Sequence, residues 1–315
     1  MALQTWTFDA PSGVYKNHAL SSQLRMAAIA ETKFMQFVRP EPGYGRGTGE
    51  NVTITRIANV SEPTSGKLTE NQRIPEDDLT ITTVSVTVSE YGRSVPFTSL
   101  AEDLGHINLE NIIQQKLRDQ MKLTLDTSAS AAFKAAQVKA IPTGIAALTM
   151  DTDGTASTAA TVNLNVYHVE QIRDYLFSTL HCPPYEGDDY VALIATKAKR
   201  GLLSDPAWQD WKKYTDPSAK YNGEIGRIEN IRFVEVNHSN ALSGTKGTGS
   251  VLGECVFFGR DAAAMAVAVD PELRVGMPQD FGRARSVAWY GVLEFGIIWD
   301  TATAGEARIV HVTSS

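Results

Sequence analysis

The sequence predicts an α+β fold in which a projecting β-ribbon, one long helix and a layered α/β unit follow one another along the chain. Three observations predict it. Apolar residues alternate with period two between Asn51 and Thr98. A helical pattern then runs from Ile107 to Gln137 without proline or glycine, and strand and helix signals take turns from Asn165 onward. With 315 residues, 43% of them apolar and 21% charged, the chain is long enough for a sizeable core in one or two closely packed domains.

The first element is a helical patch around Ser21 to Phe37, where Leu24, Ala27, Ala28 and Phe34 fall on one face. A breaker run follows from Arg39 to Gly49, with prolines at 40 and 42 and glycines at 43, 45, 47 and 49. Such a run makes an extended joint rather than a helix or regular strand. It is not a phosphate-cradling loop, because no Gly-Lys-Ser/Thr follows and no helix begins after it.

The ribbon has Val52, Ile54, Ala58 and Val60 on one arm and Leu79, Ile81, Val84, Val86 and Val88 on the other. The second arm changes phase across Thr82-Thr83, which calls for a bulge or twist. The segment from Ser61 to Asp78 between the arms is too polar to form a core of its own, so the ribbon projects. A ten-residue arm spans about 33 Å, and a two-stranded projection is marginal alone in water. A partner surface is therefore expected, with Arg46 in the joint and Lys67, Glu70, Arg73, Glu76, Asp77 and Asp78 at the tip as candidate contact residues.

Ser99-Leu100-Ala101-Glu102 has the form of a capping box and opens a short helix ending near Gly105. The long helix after it would reach about 46 Å. Its row of Leu109, Ile113, Leu117, Met121, Leu125, Ala129 and Phe133 repeats every four residues and so winds around the helix. Different stretches should then face different neighbours.

A polar stretch from Asp151 to Thr161 reads as mobile. It precedes a helix from Asn165 to His181, with Val166, Val169, Ile172, Leu176 and Leu180 inward. A buried strand (190–195), a short helix (197–203) and a further strand (228–236) complete an α/β unit. After a Ser/Gly/Thr/Asn loop (237–250), strands are expected at 251–259, 267–269, 286–299 and 308–312.

Catalytic constellations were sought and none stands in context. His18, His106, His168, His181, His238 and His311 lack metal spacing. Asp151-Thr152-Asp153-Gly154 opens like a calcium loop, but Val162 stands where the closing glutamate belongs. No Gly-x-Ser-x-Gly elbow occurs, and the side chains of His181 and Cys182 would diverge on a helix end. Asp188-Asp189 reads as a solvated pair before a strand. Catalytic residues, cofactors and metals are thus all expected to be none, and the chain is not expected to be an enzyme.

Cys182 and Cys255 are expected to be reduced and partly buried. No secretion signal or membrane-spanning stretch is expected, which suits a soluble protein made in a cytoplasm. A net charge of −7 and a pI near 5.4 disfavour a protein that grips nucleic acid by its phosphates.

Several stretches carry a resemblance. They are Asn51-Val52-Thr53-Ile54-Thr55-Arg56, Pro63 with Lys67-Leu68-Thr69-Glu70, and Val84 through Tyr91-Gly92. Further along come Gly223-Glu224-Ile225-Gly226 leading into Asn230-Ile231-Arg232-Phe233-Val234-Glu235, then Phe258-Gly259-Arg260-Asp261-Ala262, Tyr290-Gly291 and Phe295-Gly296. In this order, over about residues 20–312, the chain resembles the tailed-bacteriophage major capsid (coat) proteins of the Hong Kong 97-like fold.

The resemblance implies an N-terminal arm (1–50), an extended β-hairpin loop (51–98), a peripheral domain with the spine helix (99–145), an α/β axial domain (146–265) and strands returning to the peripheral domain (266–315). It also implies a homo-oligomer of hexamers and pentamers, closing as an icosahedral shell around double-stranded DNA without sequence-specific binding. The chain would assemble in the host cytoplasm and reside in the virion capsid. A portal and a separate scaffolding protein are the implied partners, the latter because no long charged leader precedes the arm, with a decoration protein as a further one. Some relatives crosslink a loop lysine to a neighbour's asparagine, but nothing in the sequence gives Lys67 a partner for that chemistry. The alternatives are another phage structural subunit, such as a tail-tube or decoration protein, an encapsulin-like compartment, or a soluble α/β enzyme. The long helix speaks against a tail tube.

Overall fold

The computed structural model describes residues 27–42, 44–60, 62, 63, 65–100, 109–209, 224–299 and 301–314. Two sheets and a ribbon make up its β-structure. The strands are β1 (Arg39–Pro40), β2 (Asn51–Ile57), β3 (Ile81–Thr87), β4 (Ser89–Thr98), β5 (Val138–Gly144), β6 (Ala147–Asp151), β7 (Tyr190–Ala195), β8 (Glu224–Ile228), β9 (Ile231–Val236), β10 (Cys255–Phe258), β11 (Ala263–Val275), β12 (Ala284–Ile297) and β13 (Ile309–Val312). The helices are α1 (Leu109–Lys134), α2 (Val166–Asp174) and α3 (Thr196–Leu203).

The seven-stranded sheet runs β6-β5-β13-β10-β7-β9-β8. Its middle strands are apolar on both faces because both are covered. On one face Ala192, Ile194, Cys255 and Phe257 meet Val169 and Ile172 of α2, Leu176 just beyond it, and Ala198 and Leu202 of α3. On the other, Val191, Leu193, Val256 and Phe258 meet Leu125, Ala129 and Phe133 of α1.

The four-stranded sheet, β1-β11-β12-β4, lies against the first half of α1, where Ile113, Leu117 and Met121 pack on Val287, Trp289 and Phe97. The winding row of the helix thus serves two sheets in succession, as its four-residue repeat requires. Asn165 caps α2 through its side chain, accepting from the His168 N–H, and the His168 ring accepts in return from the Asn165 N–H. The helix then continues through one π-type turn, Tyr175–Thr179, and all five of its predicted inward residues are buried.

Several expectations are corrected. Of the helical patch at 21–37, only 27–37 is described, and it is extended apart from one 3₁₀ turn, Phe34–Phe37. Phe34 and Phe37 dock individually onto α1 and β10, while Ala27 and Ala28 of the expected helix face are exposed. The ribbon ends at residue 88, because β4 leaves it and pairs with β12 along its whole length. Its phase break needs no bulge: β2 and β3 pair without interruption from Asn51↔Thr87 to Ile57↔Ile81, so Ile81 lies on the face opposite Val84 and Val86.

The long helix ends at Lys134, short of the expected Gln137, and β5 and β6 form a hairpin over 138–151, where no strand was expected. The expected strand 228–236 is a hairpin turning on Glu229 and Asn230, both at positive φ. Strand β11 is far longer than 267–269, and β13 sits between β5 and β10 in the larger sheet. The segment 266–315 therefore divides between the two sheets. The short helix expected at 99–105 lies mostly outside the described residues, as does the start of the long one. No helix among the described residues is long and apolar enough to cross a membrane.

Candidate functional site

The ribbon is built from its root outward. Val52 and Val86 face one another across β2 and β3 and cover Ala266 of β11. Gly296 of β12 lies directly beneath, where an added Cβ would stand 2.5 Å from Val86 Cγ2. Beyond Ile54 on the same face of β2 comes Arg56, only 7% exposed. Its Nη1 donates to the Ile298 carbonyl at 3.4 Å, and its guanidinium lies 6.0 Å from the centre of the Trp299 ring. Arg308 stacks on the same ring at 4.5 Å and reaches Asp261, 3.6 Å away, which also binds Arg39 of the joint at 2.6 Å. Ribbon root, joint and body thus share one cationic and aromatic network.

Outward from the root the environment changes. Every described residue from 59 to 83 is exposed, including Val60, Leu68, Ile74, Leu79 and Ile81. Ile57 and Ile81 form a cross-strand pair, 57% and 59% exposed. Lys67, Glu70, Arg73, Glu76, Asp77 and Asp78 all lie in this exposed stretch. Arg73 and Glu76 bind each other, and from residue 58 to 80 five acidic side chains stand against two basic ones. Arg46 is placed elsewhere, on a turn of the joint beside β11. The six tip residues thus share a surface and Arg46 does not.

The joint is held at its far side by α1. Asp126, fully buried, accepts the N–H groups of Lys33 (3.0 Å) and Phe34 (2.8 Å) on one oxygen, and its other oxygen lies 3.2 Å from His238 Nδ1. Phe34 and Phe37 then insert among Phe133, Phe258 and Tyr185. Sequence reasoning missed Asp126, since a lone acid inside an amphipathic row carries no mark of what it will cap. Arg56 did carry a signal, an arginine at the inward phase of Val52 and Ile54. Asp189 was misjudged. It is buried and ion-paired to Arg227 (2.7 Å) and Arg232 (2.8 Å), while Arg232 also binds Glu224 at 2.9 Å, so this acid ties β8 and β9 to the head of β7.

Another buried group lies where β5, β10 and β13 meet. Lys139 Nζ donates to the Lys134 carbonyl (2.6 Å) and sits 3.2 Å from His311 Nδ1. His311 Nε2 is 3.4 Å from Glu254, whose other oxygen accepts the Ser243 N–H at 2.6 Å. Burial alone would raise the Glu254 carboxyl. The hydrogen bonds from His311 and Ser243 and the charges of His311 and Lys134 outweigh it and bring the group down to about 2. Among the described residues no three metal-ligating side chains gather, and both cysteines are free and buried. Asp151 and Asp153 spend their oxygens on Ser157 and Thr155 of their own loop.

A family model described as phage capsid protein matches residues 81–308. Among solved structures, the chain is similar to the capsid of Ralstonia phage GP4, with a TM-score of 0.68 at 16% identity, over 98% of this chain and 97% of that one. The Cyanophage Pam1 capsid gives a TM-score of 0.71 at 13% identity, over 97% and 98%. The capsid of Helicobacter pylori bacteriophage KHP30 gives 0.70 at 12%, over 96% of each chain. No curated protein matches. At these identities the likeness is one of fold, and it extends over nearly the whole chain.

Proposed function

The chain belongs to the phage capsid protein family, and from that premise we propose that it assembles as hexamers and pentamers into an icosahedral head enclosing double-stranded phage DNA. It is a structural subunit of the virion shell and not an enzyme. The observation that carries the finer reading is the ribbon: anchored at its root, it extends 25 residues (59–83) that are exposed wherever described and yet carry five large apolar side chains. An isolated two-stranded projection with apolar residues on both faces gains stability only from a surface outside its own chain.

In this reading the ribbon lies across the next subunit, with Lys67, Glu70, Arg73 and Glu76 to Asp78 making polar contacts there. Each contact is weak, but a closed shell supplies several to every subunit at once. The joint at 39–50 and the network around Trp299 set the angle at which the ribbon leaves the body, which lets one sequence fit pentamers and hexamers. Residues 1–50 act as the arm, 99–145 and the β11–β12 hairpin as the peripheral domain, and the seven-stranded sheet as the axial domain.

A net charge of −7 suits a container that holds DNA without clinging to it. A separate scaffolding protein, a portal and a decoration protein are the proposed partners, with assembly in the host cytoplasm. Deleting residues 62–77 tests the role of the ribbon. Closed particles of normal size should no longer form, and normal shells from the deleted chain would refute it.

A further inference from the structure

The β11–β12 hairpin ends in a knob that its own chain leaves bare. Val275, Met277 and Phe281 are exposed, Met277 at 88% and the Phe281 ring completely. Asp280 and Phe281 both have positive φ, at 50° and 53°, and Gly282 follows at 93°. The left-handed region is unfavourable for a bulky residue. Nevertheless the turn is fixed: Gly282 and Ala284 donate to the Gln279 carbonyl, and Arg283 donates to that of Asp280. A strained backbone that presents an aromatic ring to solvent is built for display, and aromatic rings set in pockets are the usual anchors of protein interfaces.

A groove with an apolar wall lies along the same strand. It has a volume of 560 Å³, between the joint and β11, with Tyr44, Met265, Val267 and Val269 as its apolar wall. Of its charged lining, Glu272 is bound to Arg274 at 2.8 Å, which leaves Glu41 and Asp270 against the cation Arg46. At the knob Arg283 lies 3.6 Å from Asp280, and Arg285 beyond it tips the balance to positive. The lining runs on to Glu272, but the apolar wall ends at Val269, six residues of strand, about 20 Å, before Val275, which keeps the knob of the same molecule off that wall.

We infer that Phe281 of one copy seats in the groove between joint and β11 of a neighbouring copy, a contact that rests on the shell reading above. Such a contact joins two different patches and repeats head to tail, the arrangement that closes rings. It also gives the joint a second duty. Pro40, Glu41 and Tyr44 to Arg46 form one wall of the socket, so the pose of the arm in one copy sets the fit of the next.

The test uses two full-length variants, Ala268→Cys in the groove wall and Phe281→Cys at the knob, one carrying a size tag, co-assembled and mildly oxidised. The native thiols are buried, and burial pushes Cys182 up to about 12, so the background is low. A disulfide between the tagged and untagged chains, formed in particles and absent from dispersed subunits, is the expected result. Particles without that link overturn the inference, as does linkage in particles of Phe281→Cys alone, which would mean that knobs meet knobs. A thiol-free measurement covers variants that do not enter particles. Phe281→Ala should raise the subunit concentration needed for assembly about tenfold, and Phe281→Trp should restore it; unchanged assembly of Phe281→Ala overturns the contact. Failure of the wild-type chain to form particles at all would instead strike the shell reading itself.

Discussion

Glu254, His311 and Lys139 form a buried relay in which Lys139 Nζ lies 3.2 Å from His311 Nδ1 and His311 Nε2 lies 3.4 Å from the Glu254 carboxylate. Burial lowers the His311 pKa from its ordinary value and so keeps the ring neutral in the fold. A histidine lowered in this way contributes stability that is present above about 6.5 and declines as pH falls below it. Glu254 is depressed from 4.5 to about 2, so its contribution is present above 4.5 and is lost as pH falls through about 2. Two and a half pH units correspond to about 3 kcal/mol. Thermal denaturation of the unassembled chain should therefore show a Tm that declines as pH falls from about 6.5 and drops further below 4.5. Glu254→Gln should lose the second step while keeping the first. A Tm independent of pH between 7 and 3 would mean that the relay does not hold the sheet as described.

At the level of elements, the contact that fixes the ribbon is the absence of a side chain at Gly296. Val86 is β-branched and buried, so it cannot rotate away from a methyl group placed 2.5 Å from its Cγ2. Gly296→Ala should destabilise the fold by about 1 to 3 kcal/mol, the usual cost of overpacking. Denaturant melts of the variant beside Gly291→Ala, which meets Pro271 at a looser 3.1 Å, measure the difference. Equal effects would show that the ribbon root is not specifically seated.

Which elements were legible follows from how each is held. The row from Leu109 to Phe133 and the run 190–195 were readable because burial alone dictates them. The hairpin at Glu229 and Asn230 was not, because its left-handed turn is made without the glycine that signals one. The β5–β6 pair was hidden because Val138–Gly144 follows a long helix directly and carries Pro142 within it. Of the site, the exposed tip was visible as a polar stretch, while Arg56, Asp126 and Asp189 acquire their roles only from residues far away in sequence.

For the whole molecule, the order of its parts is what the sequence revealed most securely, since a ribbon, a spine helix and a layered unit in that sequence suit a tile better than a self-contained globule. A tile differs from a globule in one measurable respect: part of its surface changes environment when copies meet. Lys67 and Arg73 place two trypsin sites within the exposed stretch 59–83. Their only described ion pair, from Arg73 to Glu76, is on the surface and too weak to shield the backbone. Dispersed subunits should be cut at the Lys67-Leu68 and Arg73-Ile74 bonds before the two sheets are touched. In closed particles, where the ribbon rests on a neighbour, the same bonds should be cut at least about tenfold more slowly, equivalent to ~1.4 kcal/mol of local protection. Cleavage of both bonds at one rate in subunits and in particles would mean that the ribbon stays in solvent after assembly, and that some other surface carries the shell.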